Sequence, residues 1–137
     1  MERNSITSVL QEILQRYAEE LACAYLFGSC ARGEEKQGSD VDLAILYRET
    51  PPATLDGLGL DVADELSSRL KRPVDVVVLN RASPDLVHRI LRDGILVLET
   101  DRAARVRFEV KKRSEYFDVL PYLREYRRHA ELSDGRR

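Results

Sequence analysis

The chain has 137 residues and a formal net charge of −2, with 43% apolar and 34% charged side chains. That is enough for one domain with one substantial core, and the charge balance argues against nucleic-acid binding by charge alone as its main role. Charge is unevenly spread, because residues 1–100 hold 11 basic and 17 acidic side chains whereas residues 101–137 hold 11 basic and 7 acidic. Cys23 and Cys30 have neither metal-ligand spacing nor the density of a disulfide scaffold, so a reduced, cytoplasmic setting is expected. Neither a signal peptide nor an apolar run near the roughly 18 residues of a membrane span is found.

From residue 6 to residue 21 the apolar side chains Ile6, Val9, Leu10, Ile13, Leu14, Tyr17 and Leu21 recur at three- and four-residue steps, which predicts an amphipathic helix. Residues 22–27 form a short apolar run that stops at Gly28 and read as a buried strand. Residues 29–33 then read as a brief helix whose first amides face the Gly28-Ser29 turn, an arrangement suited to an anion. Residues 34–38 are polar and read as a loop. Residues 41–47 are the second predicted strand, with Val41, Leu43 and Ile45 on the face opposite Asp40 and Asp42.

Pro51-Pro52 excludes regular structure from the next loop. A helix follows through about Leu70, its start blurred by Gly57 and Gly59. The β-branched run Val74-Asp75-Val76-Val77-Val78-Leu79 predicts a central strand with one charge inside it. Ser83-Pro84-Asp85 is a helix start, and Gly94 reads as the C′ residue that ends that helix. Residues 95–98 make a fourth strand. From Asp101 onward a charged segment carrying Val106, Val110, Phe117, Leu120 and Leu123 reads as helical, interrupted or kinked around Pro121. Alternating helices and strands indicate an α/β or α+β domain.

Two carboxylates one residue apart at the start of a strand project from the same side, close enough to share a divalent cation. Asp40 and Asp42 therefore supply two metal ligands, and Asp75 is the candidate for a third, since an unpaired charge on the Val77/Leu79 face of its strand would be costly to bury. The competing reading puts Asp75 at an exposed strand edge or pairs it with Arg72 or Arg69. Three carboxylates on adjacent strands suit two-metal phosphoryl or nucleotidyl transfer. Gly28 and Ser29 suit phosphate, because glycine admits close approach and serine donates from its hydroxyl and amide. Arg32 either neutralises triphosphate charge or braces the short helix, and Ser39 either touches phosphate or fixes the loop before Asp40. Cys30 reads as a small packing residue, and His88 and His129 as solvent-facing.

Gly28-Ser29, ten residues, then Asp40-Val41-Asp42 resembles the GS-x10-DxD signature of the polymerase-β-like nucleotidyltransferase superfamily. The small size, the Pro84 to Gly94 helix and the segments Arg107-Phe108-Glu109 and Tyr116-Phe117-Asp118 are similar to the minimal nucleotidyltransferase (MntA-like) antitoxins encoded beside HEPN-domain ribonuclease toxins. The resemblance implies an α+β fold with a small mixed sheet flanked by helices, residues 1–100 being the catalytic core and residues 101–137 a helical segment. It also implies a Mg²⁺-dependent enzyme, with two ions and ATP as substrate, that transfers AMP to a tyrosine of the toxin. Gly28, Ser29, Asp40 and Asp42 carry over directly, and Asp75 by position in a later strand.

A binding module that neutralises the toxin by complex formation, or a nucleotidyltransferase acting on a small molecule such as an aminoglycoside, are the competing functions. The basic, aromatic segment around Lys111-Lys112-Arg113, Tyr116, Phe117, Tyr122, Arg124 and Tyr126 reads either as a solvated helix face or as a surface for a protein partner. Membrane and direct nucleic-acid partners are not expected.

Overall fold

Strands β1 (Leu21–Phe27) and β2 (Val41–Tyr47) are apolar on both faces, and they form the centre of the sheet. They pair antiparallel, with Leu26 opposite Leu43 and Phe27 opposite Asp42. β3 (Val74–Val78) joins β2 in parallel and β4 (Ile95–Glu99) joins β1 antiparallel, giving the order β3-β2-β1-β4. The computed structural model describes residues 3–33, 40–54 and 59–134. The loop expected over 34–38, Ser39 and the helix start expected at 57–58 lie outside the described residues.

Helices α1 (Arg3–Leu14) and α3 (Leu60–Leu70) cover one face of the sheet, where Ile6, Leu10 and Ile13 pack with Leu26, Leu43, Ile45 and Leu66. Ile6, Leu10 and Ile13 are fully buried, so truncating any of them should cost about 2–5 kcal/mol; α1 belongs to the core. The opposite face is covered by α4 (Pro84–Asp93) and the first part of α5 (Arg102–Asp134), through Val87, Ile90 and Phe108 against Tyr25, Ala44 and Leu46. This is the expected mixed α+β arrangement. Because Val41, Leu43 and Ile45 belong to the α1/α3 side and Ala44 and Leu46 to the other, alternation puts Asp42 on the α4/α5 side.

Several expectations change. The first helix stops at Leu14, a 3-10 turn covers Gln15–Tyr17, and Leu21 opens β1 instead of closing the helix. β3 is an edge strand, not a central one, and Asp75 on it is exposed; its β-branched content reflects packing of Val74, Val76 and Val78 on the α1/α3 side and of Val77 on the other. Gly94 keeps an ordinary φ of −73° instead of the left-handed turn expected of a C′ glycine. Its requirement is steric, since a Cβ there would lie 2.5 Å from the Ile90 carbonyl oxygen.

α5 continues through Pro121 without a break. Its inner side uses Ala104 and Phe108, leaving Val106, Val110 and Phe117 outward with Phe117 60% exposed. His88 is half-buried, not solvent-facing, and stacks on Tyr116 with ring centroids 3.8 Å apart, joining α4 to α5. Among the described residues no helix is long and apolar enough to cross a membrane.

Candidate active site

β1 delivers the chain to Gly28, whose φ of +74° and ψ of −156° lie where only glycine sits comfortably. A Cβ at this position would fall 2.2 Å from Asp42 Oδ2. Gly28 is thus the residue that lets the Asp42 carboxylate rest against the backbone of the turn, a second reason for glycine beyond approach by phosphate. Ser29 opens α2 (Ser29–Arg32), in which Cys30 and Ala31 are buried and Arg32 is exposed. The Ala31 and Arg32 amides both donate to the Gly28 carbonyl at 3.2 Å, so these two are not among the amides available to an anion. Cys30 is the packing residue expected, and its Sγ lies 3.6 Å from the Asp40 carbonyl, which anchors the entry to β2.

Pairing brings the carboxylates together. The Val41 amide donates to the Pro73 carbonyl at 2.9 Å, and the parallel register of β2 with β3 sets Asp42 directly beside Asp75. Asp42 is half-buried, and burial, then Asp75, then Asp40 raise its pKa, with Arg32 pulling the other way. Asp40, Asp75 and Arg32 thus all act on Asp42.

For Asp75, the argument from burial falls, because the residue is exposed. Its place beside Asp42 rests on register, and on an edge strand it is exposed as the competing reading has it. Of its two candidate partners, Arg69 pairs with Glu12 of α1 at 3.3 Å, and Arg72 directs Nη2 toward Cys30 Sγ at 3.8 Å.

Three carboxylates are hard oxygen donors of the kind Mg²⁺ prefers, and burial first, then the like charges of Asp75 and Asp40, raise the Asp42 pKa. The residue types, though not a finished coordination geometry, suit that ion. Among the described residues no three acidic, His or Cys side chains stand close enough together to hold a metal ion between them; carboxylates repel one another when no cation lies between them. Ser39 lies outside the described residues. α4 adds two arginines that no motif singles out: a cleft of about 270 Å³ is bordered by Gly28 and Arg32 on one side and by Arg89 and Arg92 on the other.

Residues 8–103 match the family model described as polymerase beta, nucleotidyltransferase. The protein adenylyltransferase MntA of Shewanella oneidensis is 31% identical over 117 residues, 85% of this chain and 78% of that protein. A crystal structure of a toxin–antitoxin with AMP-PNP is similar over 96% of this chain and 98% of the other, at 27% identity and a TM-score of 0.72. The crystal structure of the toxin–antitoxin MntA–HepT is similar over 98% and 99%, at 25% identity and a TM-score of 0.67.

Proposed function

The chain belongs to the polymerase beta nucleotidyltransferase family, and from that premise we propose that it is an antitoxin that transfers AMP from ATP to a tyrosine hydroxyl of a HEPN ribonuclease toxin. The observation that carries this reading is the register that sets Asp42 beside Asp75, with the Gly28-Ser29 turn against the Asp42 carboxylate. The acceptor is argued from the relatives, one an adenylyltransferase of proteins and others solved as toxin–antitoxin structures.

Asp40, Asp42 and Asp75 would hold Mg²⁺, which when bound neutralises triphosphate charge and favours ionisation of the attacking hydroxyl. Gly28 gives the phosphates access to the backbone, and Ser29 donates to them. Arg32, which already offsets the carboxylates at Asp42, adds positive charge toward the triphosphate. The acceptor oxygen bonds to the α-phosphorus as the α–β bridging bond breaks, the electron pair leaves with pyrophosphate, and the hydroxyl proton passes to solvent. Catalysis here is positioning and electrostatics.

α5 offers the docking surface. The likeness to the toxin–antitoxin structures extends over nearly the whole chain, this helix included. Its outward residues Phe117, Tyr122 and Tyr126 are 60–74% exposed, aromatic and interleaved with Arg113, Arg124 and Arg128, a composition typical of protein interfaces.

Intact-mass measurement of the toxin after incubation with this protein, Mg²⁺ and ATP tests the reading. A gain of one or more AMP units that disappears on chelation is expected, and an unchanged mass would overturn it. The same surface also supports neutralisation by complex formation alone; in that case the double variant Asp40→Ala plus Asp42→Ala would still protect cells.

A further inference from the structure

The cleft between the end of β1 and α4 has an apolar floor from Phe27 and Ile90 and a rim of three guanidiniums, Arg32, Arg89 and Arg92. Gly28 borders this cleft and also touches the Asp42 carboxylate. Charge therefore changes sign across one residue, from the carboxylates of the strand side to a cleft that holds Arg32 beside Gly28 and Arg89 and Arg92 on α4, against one carboxylate, Asp93. A ligand that spans both must be strongly anionic and must also engage cations at the carboxylates. A nucleoside triphosphate meets both conditions.

The α4 arginines are held loosely enough to serve. Arg89 Nε is 3.8 Å from Asp85 Oδ2, beyond hydrogen-bond range, while Oδ1 of the same carboxylate accepts from Arg127 at 3.1 Å. Arg92 leans on Asp93, its sequence neighbour, at 3.1 Å, and the Arg89 and Arg92 side chains are 58% and 61% exposed. Such surface pairs are weak, and a polyphosphate offering several charged oxygens at once displaces them at little cost. At i, i+3 the two arginines share one side of α4. Val87 and Ile90, buried against the sheet, fix that helix in place.

We propose that Arg89 and Arg92 bind the β- and γ-phosphates of the nucleotide, and then the departing pyrophosphate, opposite the carboxylates that face its α-phosphate. This rests on the nucleotidyl-transfer reading and assigns the helix-side half of the same site. It orients the substrate: the nucleotide's polyphosphate tail lies toward α4, and the acceptor enters from the exposed β3 edge at Asp75.

Calorimetric titration of the full chain with AMP-PNP and with AMP, both with Mg²⁺, tests it. Arg89→Ala and Arg92→Ala are each expected to weaken AMP-PNP about tenfold or more while changing AMP less than about twofold, with an unaltered melting temperature and partial recovery in Arg89→Lys and Arg92→Lys. Unchanged AMP-PNP affinity in both alanine variants, or equal losses for AMP-PNP and AMP, would overturn the proposal. A wild-type chain that binds AMP-PNP in this arginine-dependent way yet adds no AMP to the toxin would overturn the AMP-transfer reading and leave this assignment standing.

Discussion

Arg105 and Asp42 each lie among charged neighbours at the border of the sheet, and the two clusters are assembled differently. Arg105 donates to Glu99 at 2.6 Å and to Glu109 at 3.0 Å, and the Tyr25 hydroxyl donates to Glu109 as well. Burial disfavours the charge on Arg105, but its hydrogen bonds outweigh that and raise its pKa. Burial and the bond to Glu109 raise that of Tyr25. Every charge in this cluster has an opposite partner, and its effect is to fasten α5 to β1 and β4. Asp42 instead has like charges at Asp75 and Asp40, countered by Arg32. Burial and like charge at one carboxylate are what a bound cation would relieve.

The contrast can be broken most forcefully at Asp42. Asp42→Asn should lower the transfer rate by at least about 100-fold and raise the melting temperature at neutral pH, since it removes a half-buried charge facing two others; rate and melting measured on one preparation check both. Gly28→Ala attacks the same carboxylate from behind. Its Cβ would sit 2.2 Å from Asp42 Oδ2 on a backbone at φ +74°, so transfer should fall at least tenfold as Asp42 is displaced, together with a measurable loss of stability.

Arg105→Ala should do the reverse. Loss of two partly buried ion pairs costs about 2 kcal/mol in denaturant unfolding, with kcat for transfer within about twofold of wild type. The smallest effect sharpens the distinction through pH. Asp42, with its pKa raised in the fold, contributes stability that is present below its unfolded pKa and lost as pH rises through the folded value. Transfer should therefore decline in acid earlier than an ordinary carboxylate would dictate, while unfolding midpoints of wild type and Asp42→Asn converge as pH falls.

Local signals explain what could be read from the sequence. β2 begins at Val41 and ends at Tyr47 as its apolar run does, and Ser83 caps α4 by accepting from the Leu86 amide at 3.3 Å with Pro84 in the first turn. The Gly28-Ser29 and Asp40-Val41-Asp42 pairs are legible because their spacing is short and their chemistry narrow. In the sequence Asp75 is visible only as a charge in an apolar run, where burial is the reason to single it out. The parallel pairing that sets it opposite Asp42 depends on contacts distant in sequence.

Arg89 and Arg92 carry no signature either, since i, i+3 arginines on a helix usually mean a solvated face, and only the cleft beside Gly28 distinguishes them. The inward turn of His88 follows from Tyr116, 28 residues away in sequence and 3.8 Å away in space. The outward turn of Val110 and Phe117 follows because α5 seats Ala104 and Phe108 on the sheet instead.

The most direct test sets the two clusters side by side: wild type, Asp42→Asn and Arg105→Ala, each incubated with the HEPN toxin, Mg²⁺ and ATP at a temperature where all three are folded, with the toxin's intact mass followed in time. The account predicts AMP addition by wild type and by the less stable Arg105→Ala at similar rates, and addition at least about 100-fold slower by the more stable Asp42→Asn. AMP addition by Asp42→Asn at the wild-type rate would contradict it.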